Sequence, residues 1–419
     1  MTLNFEPGDV DSSELLAQAR SRAVLSPFTL DLGGDTEISG MFTSDDYRFG
    51  VNGRIDWQRL LQLARAMGLN APQTDLHGSG LLTASYSGEW RHFAPPNIAA
   101  QAQVRSATLS LPGFSEPLHV SGGRLTMDGA SFRADQISGS FPKRKIEFAG
   151  TFSGSRQCER HLLCDVSFSV QADELKEASL RELLTVPESG IGLPFFASAR
   201  RFRANWLLDA PSRGTISVRR LALQDLHAGN VTAELQFGAS KVLVRQWTAD
   251  LLGGKYSGEL ALDASGPQLA VTSVGSIRGA RLDQVNAAFS QRIGVGTLDC
   301  NYQVTMSGAD AAQIASSMVA SGAFFWHNGS IQPVSEDADS PPLTFTSWSG
   351  HFAVAKQHVA LERTKMLSTS GMREISGEAA FGREWNLKLV GAEGEPNLAS
   401  APISAVAPSR QQAKLDQSR

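Results

Sequence analysis

No stretch of this chain approaches the roughly 20 consecutive apolar residues needed to cross a bilayer as a helix. Its first residues, Met1 to Asp11, are acidic and lack the basic-then-apolar order of a secretion signal. Read as written, the chain is neither exported nor anchored. It fits either a cytosolic protein or a piece of a longer protein that carries its anchor elsewhere. Charge is also scarce. Charged residues make up 19% of the chain and the net charge is −4, which argues against nucleic acid as the main partner. Catalytic signatures are missing as well: there is no HExxH, no Walker A loop, no GxSxG and no paired CxxC. No catalytic residue, metal or cofactor is therefore expected, although carboxylates brought together from distant strands would escape such a search.

Only three cysteines occur among 419 residues. Cys158 and Cys164 are the one close pair, on either side of Glu159 to Leu163 and between two strand-like runs. In an oxidising compartment they could close a hairpin loop as a disulfide, worth about 2 kcal/mol; as free thiols they fit equally well. A zinc site using His161 between them lacks a fourth ligand. Cys300 falls in a strand pattern and reads as a small buried apolar residue. His227, His327, His351 and His358 read as solvated residues at turns or strand ends.

What the chain has is glycine, 39 residues of it, and a persistent alternation of apolar and polar side chains. Val166, Phe168, Val170 and Ala172 alternate with Ser167, Ser169 and Gln171. The same pattern runs through Val231 to Phe237, Leu298 to Met306, Phe202 to Leu208, Ile98 to Val104 and Trp385 to Leu389. A period of two gives each strand one apolar and one polar face, as in antiparallel sheets with one wet side. Asp128-Gly129, Asn328-Gly329 and Ala264-Ser265-Gly266 supply turn signals, and Lys143-Arg144-Lys145 reads as a basic hairpin turn.

Short helical stripes interrupt the strands. Trp57, Leu60, Leu61, Ala64 and Met67 follow Asp56 as N-cap; a second stripe starts near Asp173, a third contains Leu282, Val285 and Phe289, and a weaker one starts near Asp310. Ile38-Ser39-Gly40, Phe148-Ala149-Gly150, Tyr256-Ser257-Gly258 and Ile375-Ser376-Gly377 resemble one another and recur about every 110 residues, the signature of a repeated module. The expected fold is mainly β: an extended, curled antiparallel sheet forming a groove, built from repeated multi-strand modules with short connecting helices. The modules are read as a partial helical segment at 1–27, a partial β module with its helix at 28–72, groove modules at 73–186 and 187–293, a C-terminal β module at 294–392 and a disordered tail at 393–419.

Three stretches resemble the repeated unit of AsmA-like proteins: Ala102 to Phe148, Leu251 to Gly266, and Gly296 to Ile331 with its order of strand, Gly-Ala, helix, Gly, strand and Asn-Gly. The resemblance covers Phe28 to Val390 through loose patterns of glycine and leucine. It implies a bacterial envelope protein, on the periplasmic side of the inner membrane, similar to bridge-like lipid-transfer proteins with an open β trough. It also implies phospholipid or another acyl lipid as ligand, a role in phospholipid transfer or outer-membrane homeostasis, and no enzymatic activity. The chain departs from that pattern in lacking an N-terminal anchor helix, so a missing anchor or a separate inner-membrane partner is expected.

Roughly twenty strands cannot lie in one flat sheet, because large open sheets curl or split. With the apolar face concave, the lining would include Val166, Phe168 and Val170, then Phe202 and Trp206, then Val231, Leu235 and Phe237, then Leu260 and Leu262, and finally Tyr302, Val304 and Met306. A structural or adhesive β-scaffold with a packed core uses the same alternation and remains the alternative at this point.

Overall fold

The computed structural model describes residues 3–5, 23–31, 34–43, 45–66, 75–90, 97–111, 114–155, 164–183, 211–223, 226–289, 294–331, 342–356, 358–380 and 385–390. The chain is mainly β and divides into two compact units. One comprises Met1–Asp173 with the short pieces Arg181–Thr185 and Ala210–Gly214, and the other Glu174–Leu180, Val186–Asp209 and Thr215–Arg419.

The first unit holds β1 (Leu3–Phe5), β2 (Ala23–Asp31), β3 (Asp35–Phe42), β4 (Asp46–Asp56), β5 (Leu76–Glu89), β6 (Asn97–Leu109), β7 (Leu118–Asp128), β8 (Ser131–Phe141), β9 (Ile146–Ser155) and most of β10 (Cys164–Lys176). Each of these strands pairs antiparallel with the next. Helix α1 (Trp57–Ala66) follows β4, with the Asp56 carboxylate accepting from the Arg59 amide at 3.0 Å, as an N-cap should. Its apolar stripe lies on β4 to β6: Trp57, Ile55, Leu82 and Ala102 are buried together, with Leu60 and Leu63 against them. Helix α2 (Glu177–Leu183) begins later than the stripe near Asp173 suggests, because β10 runs on to Lys176.

Most of β11 (Ser212–Leu223) falls in the second unit, which continues with β12 (Leu226–Gly238), β13 (Lys241–Leu251), β14 (Gly254–Asp263), β15 (Leu269–Arg281), β16 (Val295–Gly308), β17 (Val319–Ile331), β18 (Leu343–Ala355), β19 (His358–Ser368), β20 (Gly371–Ala380) and β21 (Trp385–Val390). From β12 to β21 every strand again pairs antiparallel with its successor. Helix α3 (Leu282–Phe289) follows β15, and α4 (Ala311–Ser316) connects β16 to β17. Asp310 caps α4, its side chain accepting from the Gln313 amide at 2.8 Å. Among the described residues no helix is long and apolar enough to cross a membrane.

Two local expectations are corrected. Asn328-Gly329 is not a hairpin turn: both residues lie inside β17, where Asn328 takes a left-handed φ of 45° and the register against β16 slips. An Asn-Gly pair favours left-handed backbone, and a bulge uses that preference as readily as a turn does. His351 and His327 likewise sit within strands, His351 on β18 opposite Glu362 and His327 on β17 opposite Ser347, and not at turns or strand ends. The other turn signals hold. Asp128-Gly129 joins β7 to β8, and Pro142–Arg144 forms one 3-10 turn closed by left-handed Lys145. At Ala264-Ser265-Gly266 the Asp263 carboxylate accepts from the Ser265 amide at 2.9 Å. The Ser265 hydroxyl first, then the Lys241 ammonium and that amide, draw the Asp263 carboxyl down to about 2.

Candidate functional site: the apolar face of the second unit

The register carries the alternating pattern from strand to strand, so that apolar positions form rows across the sheet. Phe237 of β12 stands opposite Val242, Val242 opposite Leu262, Leu262 opposite Val271, and Val271 opposite Met306. The next row runs Leu235, Val244, Leu260, Ser273, Val304, Ala320 and Val354. The row after that is Gly258, Gly275, Tyr302, Gly322, Phe352 and Leu361, followed by Tyr256, Ile277, Cys300, Phe324 and Gly350.

Glycine in these rows makes room for rings. A Cβ on Gly275 would stand 2.9 Å from the hydroxyls of both Tyr256 and Tyr302, and one on Gly322 would stand 2.5 Å from Phe352 Cζ. An aromatic side chain lying across a neighbouring glycine restores the packing that the glycine gives up. The recurring Ser-Gly pairs therefore place glycine on the apolar side of the strand and serine on the wet side.

The face is closed at its two ends by helices. At one end Ile314 of α4 packs with Val242, Leu262, Ala264, Leu269 and Val271. At the other, Leu282 and Val285 of α3 pack into a cluster that includes Trp326, Phe345, Trp348, Met366 and Ile375. There Trp326 and Trp348 stack with centroids 5.6 Å apart, and Phe345 meets Trp326 edge-on at 5.0 Å. All three clusters of buried side chains among the described residues are built from neighbouring strands and one helix. A sandwich would instead join side chains from strands far apart in pairing order.

Between the helix-covered ends the lining is less enclosed. Of the expected lining residues in this unit, Val231 and Leu262 are buried, Phe237, Leu260 and Met306 are half-buried against the α4-covered cluster, and Leu235, Tyr302 and Val304 are half-buried outside it. The polar groups there turn to one another. The hydroxyls of Tyr256 and Tyr302 are 2.7 Å apart, and Tyr256 titrates well above an ordinary phenol, first because of burial and then because of that hydrogen bond. Burial pushes the Cys300 thiol up to about 11. Trp247, opposite Gly258, meets Tyr256 edge-on at 5.0 Å, and its indole N–H is shielded from solvent with no hydrogen-bond partner among the described residues.

The remaining expected lining residues divide. Val166, Phe168 and Val170 lie on β10 in the first unit, half-buried, with Phe168 opposite Phe152 and Val170 opposite Gly150. Phe202 and Trp206 lie outside the described residues, as does Cys158 of the possible disulfide, and nothing is described of the Cys164 side chain. Sequence reasoning missed Trp247, Tyr256, Ile277, Phe324 and Phe352, which share the same face as Leu260 and Tyr302. The run Tyr256-Ser257-Gly258-Glu259-Leu260 does alternate, so Tyr256 was within reach; Trp247 was not, because a bulge between Val244 and Trp247 breaks the alternation. Comparison with family models, with curated proteins and with solved structures gives no match.

Proposed function

We propose that the apolar face of the second unit binds the acyl chains of a phospholipid or similar lipid, without covalent chemistry. The observation that carries this reading is the half-buried surface of two adjoining rows, Leu235 and Val304 in one and Tyr302 in the next, lying between two dry, helix-covered clusters and drawn from a single layer of sequential strands. A layer of this kind leaves apolar area that an acyl chain would cover, at about 25 cal/mol for each Å² removed from water. A chain of about 16 carbons loses roughly 13 kcal/mol on entering water, and a continuous apolar row removes much of that cost. The resemblance of Leu251 to Gly266 and Gly296 to Ile331 to AsmA-like repeats agrees, and extends the proposal to the bacterial envelope, to phospholipid transfer or outer-membrane homeostasis, and to an anchor or inner-membrane partner. The helix-covered ends favour a second role, that of a dry structural scaffold, for those parts of the sheet alone.

Lipid extraction and mass spectrometry of the purified chain test this directly. Acyl lipid should copurify, and the double substitution Leu260→Asp, Val304→Asp should remove it while the far-ultraviolet circular dichroism of the sheet persists. A folded protein that carries no lipid and takes up none from phosphatidylethanolamine vesicles would end the proposal.

A further inference from the structure

The opposite face of the same sheet has a hollow. A twisted sheet is saddle-shaped, so each of its faces is concave along one diagonal. An open concavity of about 840 Å³ spans β13 to β17, and the side chains over it are Gln246, Ser257, Glu259, Ser276, Asn301, Gln303 and Ser321. Along β14 and β16 these alternate with Tyr256, Leu260, Tyr302 and Val304, so they point away from the apolar face. Its lining also takes in the row of Gly258, Gly275, Tyr302 and Gly322 beneath them.

The chemistry of this hollow differs from that of the rest of the wet face. Elsewhere that face carries ions: Lys255 pairs with Asp250, and Lys241 with Asp263. Over the hollow, Glu259 alone is charged among the described residues, and no lysine or arginine lines it. The amides of Asn301 and Gln303 are exposed and make no hydrogen bond to the described residues. Val274, 54% exposed, stands among the polar groups, and Phe325, 39% exposed, lies on β17 next along from Ala323. Amides and hydroxyls that donate and accept, set around exposed apolar surface and without a cation, suit a ligand with hydroxyl edges and C–H faces. They do not suit a phosphate or a polyanion.

We infer that this hollow binds a neutral carbohydrate chain. The span from β13 to β17, about 19 Å, suits a short oligosaccharide lying across the strands. The inference is independent of lipid binding, which uses the other face.

Titration of the full chain with maltohexaose, cellohexaose and chitohexaose, followed by calorimetry or by protein NMR shifts, tests it. At least one hexaose should bind at millimolar concentration or below. Asn301→Ala with Gln303→Ala should weaken it about tenfold through lost hydrogen bonds. Val274→Lys, a change at a well-exposed position, should abolish binding without altering the circular dichroism or the copurifying lipid. Failure of all three sugars to bind, or binding unchanged by both variants, would overturn the inference.

Discussion

Met366 and Ile375, at the α3-covered end of the apolar face, are 1% and 2% exposed, whereas Tyr302 and Val304, on the same face, are only half-buried. All four occupy the same phase of the same alternating pattern. What separates them is cover. A strand in a single-layered sheet has no partner for its apolar face unless a helix, a curl of the sheet or a ligand supplies one. The short connecting helices α3 and α4 supply it at the ends, and the middle is left to its own rings and to whatever binds there. Alternation therefore establishes that a face is apolar and does not establish that it is a core.

The comparison is sharpest in stability measurements. Met366→Ala removes side-chain volume from a site with no room to relax, and should lower the unfolding free energy by about 2–5 kcal/mol in urea titrations. Val304→Ala, in the less enclosed middle, should cost roughly 1 kcal/mol or less, since its side chain gives up less buried area. Equal losses at the two positions would mean that the middle of the face is as solidly packed as its end.

A smaller effect probes the polar side of the same core. Thr364 is fully buried; its hydroxyl accepts from Trp348 Nε1 at 2.9 Å and donates to the Ile375 carbonyl at 2.6 Å. Thr364→Val keeps the shape and removes both bonds, leaving a buried N–H and a buried C=O without that partner. The expected cost is about 1–3 kcal/mol, again read from urea titrations. Thr364→Ser keeps the hydroxyl and should lose less than the valine variant; the reverse order would show that methyl packing over Gly350 outweighs the hydrogen bonds.

Much of this architecture was legible in residue order because period-two patterning and capping chemistry are local. Asp56 and Asp310 announce α1 and α4, and the phases of Val231 to Phe237 and Leu298 to Met306 place those residues on one face. Bulges were not legible. The slip between Val244 and Trp247 that brings Trp247 opposite Gly258, and the left-handed Asn328 inside β17, depend on the neighbouring strand as much as on the residues themselves. The hollow on the wet face was hidden for a related reason. Ser257, Asn301 and Gln303 are ordinary exposed strand residues in one dimension, and only the twist of the sheet gathers them into a concavity.

Cys300 gives the smallest and most local test of the difference between covered and open face, because it sits between Ile277 and Phe324 in the row next to Tyr302. With its thiol pushed up to about 11 by burial, little thiolate exists near neutrality. In a chain carrying Cys158→Ser and Cys164→Ser, alkylation by iodoacetamide at pH 8 should run roughly two orders of magnitude below that of a free cysteine. The sign follows from the direction of the shift: the rate should climb with each unit of pH through 10 and level off only as pH passes the raised pKa. An acyl chain lying along the Tyr302 row would shield the sulfur further, so vesicles of phosphatidylethanolamine should slow the reaction again, and Leu260→Asp with Val304→Asp should remove that second effect. If the thiol alkylates as fast as a free cysteine, the middle of the face is wet; if it resists alkylation and vesicles change nothing, the middle is dry and already filled by its own side chains.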